Sequence, residues 1–429
     1  MKRYEKYKES NVAWLGCIPE HWEQRFLFQC AAERKSSNKG MINQNLLSLS
    51  YGRIIRKNID TTSGLLPDSF ETYQVVQKGD VIMRLTDLQN DKRSLRTGLV
   101  KEVGIITSAY VCLNPKIDVN SNFFHYLLHC YDVKKLFYSL GGGLRQGCAY
   151  ADLKKVVINL PTEDEQEQIV KYLDWKVALA DKFVADRRKL IELLKEYRQA
   201  EINKAVTKGL NHDAPMRNSG IDWIGDVPAH WVKYSLSQAT EEYKCSNKYI
   251  QNNNLLSLSY GEVISKDINK TDGLLPASFN NYQVVKHGII VLRLTDLQND
   301  QKSLRVGLSK KEGILTSAYT YLKCKDYVSP EFTHLLLHSY DIRKVFYGMG
   351  GGLRQSLSYQ ELRKLSLFAP SQAEQQQIAA YLDTISERVK KAIEDIEQQI
   401  KLVVEYKTTL ISHVVTGKVD VRGIEIQKI

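Results

Sequence analysis

The chain has 429 residues, enough for two or three domains, each able to bury its own core. Charged residues make up 25% and hydrophobic ones 43%, and no apolar run approaches the roughly 18 residues of a membrane helix, which excludes an integral membrane protein; the basic start MKRYEKYKESNVAW has no apolar stretch behind it, so a secretory signal is not expected. A net charge of +11 and a pI near 9.0 favour a polyanionic partner, with nucleic acid the leading class.

In chain order the first signature is AWLGCIPEHW at 13–22. NLLSLSYG follows at 45–52, RLTDLQND at 84–91, an apolar helix pattern at about 121–139, GGGLRQ at 141–146 and then Pro161. Each returns at a constant shift of 209 residues: DWIGDVPAHW at 222–231, NLLSLSYG at 254–261, RLTDLQND at 293–300, a helix at about 330–347, GGGLRQ at 350–355 and Pro370. No gap is needed between Trp14/Trp223 and Val206/Val415. Two copies of a unit too long for a solenoid repeat make a pseudo-dimer in one polypeptide. Whatever one half binds, the other should bind as well.

Each copy divides at its proline into a globular part and a helical tail. In INLPTEDEQEQIVKYLD (158–174) and LFAPSQAEQQQIAAYLD (367–383) a strand-like run ends, proline breaks it, and polar and acidic residues open a helix near residues 163 and 372. Ile378, Leu382, Ile385, Val389, Ile393, Ile396, Ile400, Val403, Leu410 and Val414 form a long amphipathic stripe, repeated more weakly by Ile169, Leu173, Val177, Ala180, Val184, Ile191, Leu194 and Ile202. The stripes are expected to bury each other in an antiparallel coiled coil, a rod on the order of 65 Å for about 45 residues. The alternative, in which each helix packs back on its own domain, stays open. Short strand-like runs such as YQVVQKGDVIMRL beside these helices give an α+β class: globular domains at 1–160 and 209–369, helices at 161–208 and 370–416, a tail at 417–429, and pseudo-twofold symmetry.

RLTDLQNDKRSLRTG and RLTDLQNDQKSLRVG concentrate groups that read base edges, since arginine pairs bidentately with guanine, asparagine or glutamine with adenine, and aspartate accepts from cytosine. The candidates are Arg84, Asp87, Gln89, Asn90, Lys92, Arg93 and Arg96 in one copy and Arg293, Asp296, Gln298, Asn299, Lys302 and Arg305 in the other. An Asx-type turn built by Asp87 and Asn90 is the structural alternative. GGGLRQ follows a helix and lacks the context of a nucleotide-phosphate loop; its bare backbone with Arg145 and Gln146, or Arg354 and Gln355, suits close approach to a phosphate or groove, and a helix-terminating loop is the other reading. SLSYGRIIRK adds Tyr51, Arg53 and Lys57, with Tyr260 and Lys266 in the second copy.

His125/His129 and His334/His338 have the spacing of paired metal ligands, but no third ligand is evident and a half-buried helix face is favoured. Seven cysteines are scattered without a CxxC pair and read as reduced thiols. No nucleophile elbow, zinc-protease motif or methyl-donor loop occurs, so neither a catalytic site nor a bound cofactor or metal is expected in this chain.

The WxGxxPxHW segments (Trp14 to Trp22, Trp223 to Trp231), the helix starts Glu167-Gln168-Ile169 and Gln376-Gln377-Ile378, and the closing AVTKG and VVTGK occur in this order twice. Together they resemble the specificity subunits of type I restriction-modification systems over almost the whole chain. The resemblance implies two target-recognition domains joined by conserved helices and a non-catalytic subunit; cytoplasmic residence is the default expected without a secretory signal. It also implies partners: double-stranded DNA, two methyltransferase subunits that bind S-adenosylmethionine, and motor-nuclease subunits, with no membrane. Such subunits usually carry two dissimilar recognition domains. Here the two domains share most of their motifs, which predicts a bipartite, interrupted-palindrome target with equal or nearly equal halves and an unread spacer set by the helices. Differences such as Arg53/Glu262, Arg56/Ser265, Thr61/Lys270 and Lys78/His287 are where the halves can become unequal. Two other assemblies stay open: the DNA-reading subunit of a fused methyltransferase-nuclease system, and a symmetric adaptor binding two identical proteins.

Overall fold

The computed structural model describes residues 2–10, 12–60, 67, 69–88, 95–140, 147–248, 250, 252–267, 278–297, 304–349 and 356–426. It mixes helix and strand and divides into two compact units, Met1–Arg187 with Glu397–Ile429, and Arg188–Ile396. In unit 1 an antiparallel sheet has the strand order Ala31–Glu33, Val111–Pro115, Val81–Met83, Thr97–Leu99. Unit 2 repeats it with Thr240–Glu242, Thr320–Cys324, Ile290–Leu292 and Val306–Leu308. The short runs VIM and IVL are wholly buried, as apolar and mostly β-branched residues are on a strand covered on both faces.

Helix α1 (Ser121–Val133) starts where the Asn120 side chain accepts from the backbone of Asn122 and Phe123, and it buries Phe123, Phe124, Leu127, Leu128 and Tyr131 in the core. It stops because Lys135 turns left-handed, with φ of 61°. A separate 3-10 turn, Leu136–Ser139, follows, so the single helix expected to about 139 is two elements.

Beside the sheet, a hairpin pairs Leu47–Ser50 with Arg53–Arg56, and in unit 2 Leu256–Ser259 with Glu262–Ser265. Its two-residue turn has positive φ at both positions: 45° and 78° at Tyr51 and Gly52, 47° and 81° at Tyr260 and Gly261. That is the turn whose twist matches paired strands. The hairpin lies so close to the sheet that a Cβ on Gly98 would come within 2.6 Å of Leu49, and one on Gly307 within 2.5 Å of Leu258. Glycine in these strands is a requirement of that approach.

Helix α2 spans Glu163–Lys208. Helix α3 (Pro330–Ile342) repeats α1, with Ser329 as its cap and left-handed Lys344 at its end, and α4 spans Gln372–Val415. Three acids, Glu163, Asp164 and Glu165, occupy the first turn of α2, where the helix dipole favours them. In unit 1 the first half of α2 runs antiparallel to the second half of α4: Asp181 accepts from Lys407 Nζ at 2.6 Å, and Gln168 donates to the carbonyls of Val421 and Ile424 at 3.1 and 2.9 Å. In unit 2 Arg198 donates to Ser386 Oγ at 3.1 Å, and Tyr381 donates to Glu201 at 2.8 Å. The stripe ends enter the domain cores, Ile169 and Leu173 with Leu410 and Val414 in one, Ile202 with Ile378 and Leu382 in the other.

The HW pairs of the opening motif are latches. Glu165, buried in the first turn of α2, accepts from Tyr4 OH at 2.6 Å and Trp22 Nε1 at 3.1 Å and faces His21 Nε2 at 2.7 Å. Glu374 accepts from Trp231 Nε1 at 3.2 Å and faces His230 Nε2 at 2.8 Å. Residues after α4, which the sequence sets apart as a tail, belong to the fold of unit 1 through 426: Val419 and Val421 join its core, and Asp420 N donates to Lys2 O at 3.0 Å.

Candidate nucleic-acid interface

RLTDLQND leaves the sheet at Arg84, whose N–H donates to Arg96 O at 2.8 Å. Beneath this departure lies Arg96, with no exposed surface. Its Nη1 donates to the carbonyls of Arg84 and Thr86 at 3.1 and 2.8 Å, its Nη2 to that of Asp87 at 3.2 Å, and its Nε to Tyr138 OH at 3.0 Å. The backbone N–H of Arg96 donates to Asp132 at 2.6 Å. Unit 2 repeats every bond: Arg305 to the carbonyls of Arg293 at 3.2 Å, Thr295 at 2.8 Å and Asp296 at 3.2 Å, to Tyr347 OH at 2.9 Å, and from its N–H to Asp341 at 2.6 Å.

The assignment of Arg96 and Arg305 as base-reading groups is therefore corrected. A tight turn leaves several carbonyls facing inward, and a guanidinium, with five donors in a planar fork, satisfies them where burial would otherwise leave them unmet. Asp87 and Asp296 sit at that turn with φ of 57° and 58° and are half-buried, a geometry that fits the turn-building alternative. Arg84 and Arg293 are also half-buried. Gln89, Asn90, Lys92, Arg93, Arg145 and Gln146, with Gln298, Asn299, Lys302, Arg354 and Gln355, lie outside the described residues.

Described residues from or next to three of the sequence signatures nevertheless come together in each unit. The second residue beyond GGGLRQ ties back to the loop start, Cys148 N–H donating to Leu85 O and Leu357 N–H to Leu294 O, both at 2.9 Å. The hairpin tip abuts the other end: a Cβ on Gly52 or Gly261 would lie 3.2 Å from Leu95 or Leu304. At the tip Tyr51 and Tyr260 are each 82% exposed. Next to it Arg53 is itself well exposed while donating to Asp181 on α2 at 3.1 Å.

Lys57 and Lys266 stand apart. They are exposed at the open end of the hairpin, four residues from Arg53 and Glu262, about 13 Å at about 3.3 Å per strand residue. There Arg56 pairs with Glu102, and Lys57 lines a shallow groove with Asn45 and Asn58.

The histidine pairs lie on half-buried helix faces, as expected in place of a metal site. Burial, with each partner ring adding to it, lowers His125 to about 4 and His334 to about 3; burial also lowers His338 to about 4. His338 Nε2 lies 3.2 Å from Gln199 Oε1. Among the described residues no group of three or more histidine, cysteine or acidic side chains is arranged to hold a metal. The participants missed from sequence are Asp132, Tyr138, Asp341 and Tyr347. Their signal was present: the aspartate and tyrosine follow the arginine by 36 and 42 residues in both copies.

Residues 35–192 match the family model for the type I restriction modification DNA specificity domain. Over 439 aligned residues the chain is 22% identical to a protein named as the type I restriction enzyme MjaX specificity subunit of Methanocaldococcus jannaschii, covering 97% of this chain and 98% of that one. The HsdS subunit from Thermoanaerobacter tengcongensis shares the fold with a TM-score of 0.52 at 13% identity, over 94% of this chain and 98% of the other. A chain from a structure addressing complex assembly and conformational transition of the type I R-M system gives a TM-score of 0.59 at 14% identity, over 93% and 98%.

Proposed function

We propose that this chain, a DNA-recognition specificity subunit of a type I restriction-modification system, reads a bipartite, near-palindromic target with an unread spacer. The observation that carries the symmetric target is the repetition, bond for bond, of the clamp under RLTDLQND beside an exposed hairpin-tip tyrosine in both units. Two like readers serve two like half-sites, inverted on opposite strands by the dyad of the duplex. The subunit assembles with other subunits and with DNA. In this reading the methyl transfer and its S-adenosylmethionine belong to two methyltransferase partners, cleavage belongs to motor-nuclease partners, and the complex works in the cytoplasm. The basic surface supplies sequence-independent attraction to phosphates, and the two loop-and-hairpin sites supply discrimination.

The spacer is set by α2 and α4 acting as a ruler. Mapping methylated bases in cells with and without the chain is expected to show paired, inverted, similar half-sites that vanish with it; two unrelated half-sequences would contradict the symmetric target. An insertion of about four residues in both helices is expected to lengthen the accepted spacer by about 6 Å, close to two base pairs. A variant that methylates only the original spacing removes the ruler.

A further inference from the structure

Among the described residues other than glycine, positive φ occurs at Met41, Tyr51, Asp87 and Lys135 in unit 1 and at Tyr260, Asp296 and Lys344 in unit 2. Six of these seven form three pairs across the repeat, with φ of 45° and 47°, 57° and 58°, 61° and 60°. Side chains of this size seldom adopt the left-handed region, and strain of this kind persists only where the surroundings over-determine it. In each unit the three lie about one buried arginine, Arg96 or Arg305. Tyr51 adjoins Gly52 at the tip that meets Leu95, the residue before Arg96; the carbonyl of Asp87 is held by Arg96; and Lys135 Nζ stands 4.6 Å from the ring of Tyr138, whose hydroxyl accepts from Arg96.

We propose that Arg96 and Arg305 are positioning residues: together with Asp132 and Tyr138, and with Asp341 and Tyr347, they hold the backbone of Arg84–Asp87 and Arg293–Asp296 in a preformed, strained shape, so that discrimination between sequences passes through these segments. The inference rests on the DNA-reading role above. Only arginine spans three carbonyls and a phenol at once, because lysine offers a single compact ammonium. A preformed segment loses less freedom on docking to a groove, whereas phosphate attraction needs no fixed shape.

The test uses the full chain in its methyltransferase complex and duplexes carrying the target mapped for the wild type, with both half-sites intact, one scrambled, or both scrambled. Tyr138→Phe and Tyr347→Phe remove only a hydroxyl and keep the ring, which guards against loss of fold; Arg96→Lys and Arg305→Lys are the stronger pair. Each single-unit variant is expected to lose about 10-fold or more of the preference for the intact target, on the scale of one or more mismatched base pairs, and to tolerate scrambling of one half-site. Its binding to fully scrambled DNA and its salt dependence are expected to stay those of the wild type. Full discrimination in Tyr138→Phe and Arg96→Lys overturns the proposal, as does a parallel fall in binding to every duplex, the mark of a general structural lesion. A wild-type complex that does not distinguish its mapped target from scrambled DNA overturns the DNA-reading role itself, and the clamp with it.

Discussion

The two units keep the clamp and change its surroundings. Corresponding clamp distances in the two halves agree to within 0.1 Å, down to the 2.6 Å bond from the arginine N–H to aspartate. Where the hairpin meets the helices, unit 1 has Arg53, Asp181 and Lys407 in contact, whereas the corresponding residues of unit 2 are Glu262, Lys390 and Arg198, so acid and base have exchanged places between hairpin and first helix partner. The latch differs too, with two donors and a facing histidine on Glu165 against one donor and a histidine on Glu374. What the halves share is the part that shapes the Arg84–Asp87 and Arg293–Asp296 segments, and what diverges is the latch and the hairpin-to-helix pair.

The latch offers the largest contrast. Glu165 has a side chain 3% exposed and Glu374 one 25% exposed, so Glu165→Ala, which strands two buried donors, is expected to cost about 3 kcal/mol, and Glu374→Ala about half that. Chemical denaturation of the two variants measures it; equal losses would erase this difference between the units.

Acid should act next, through the histidines. Their folded pKa values are depressed, so the stability they confer is complete above the ordinary value of 6.5 and is lost as pH falls toward about 4, while the unfolded chain takes up protons that the folded one refuses. With both His334 and His338 strongly depressed, unit 2 is expected to loosen first, as read by domain-resolved hydrogen exchange between pH 7 and 4.5. Protection that holds constant over that range in unit 2 would refute it.

The smallest effect belongs to the exchanged charges. Arg53→Glu is expected to cost about 0.5 kcal/mol, the scale of an exposed pair, and to cost less in an Asp181→Asn background. A double-mutant cycle with no coupling would show that the exchange has no energetic role.

Much of this was legible in the sequence because its signals are local or periodic. Proline followed by acids marks the start of α2 at Glu163, and the apolar stripes mark faces that end in the cores. Arg96 was not legible, since composition does not separate a guanidinium facing a groove from one facing carbonyls. Its partners Asp132 and Tyr138 are distant in sequence and act only once the chain is folded. The break after α1 was hidden for a related reason: nothing in the pair Lys134-Lys135 announces a left-handed residue.

The composition of unit 1 has a consequence for the order in which the chain takes shape. Unit 2 is one continuous stretch, Arg188–Ile396, but unit 1 joins Met1–Arg187 to Glu397–Ile429. During synthesis at about 5–20 residues per second, the stretch between its two parts takes roughly 10–40 s to emerge. The first domain made is thus the last completed: Leu410, Val414 and Val421, which fill its core, leave the ribosome after the whole of unit 2. Until then its apolar surface waits uncovered while a second copy of its motifs emerges, and the nascent chain in that interval is where a chaperone has most to do.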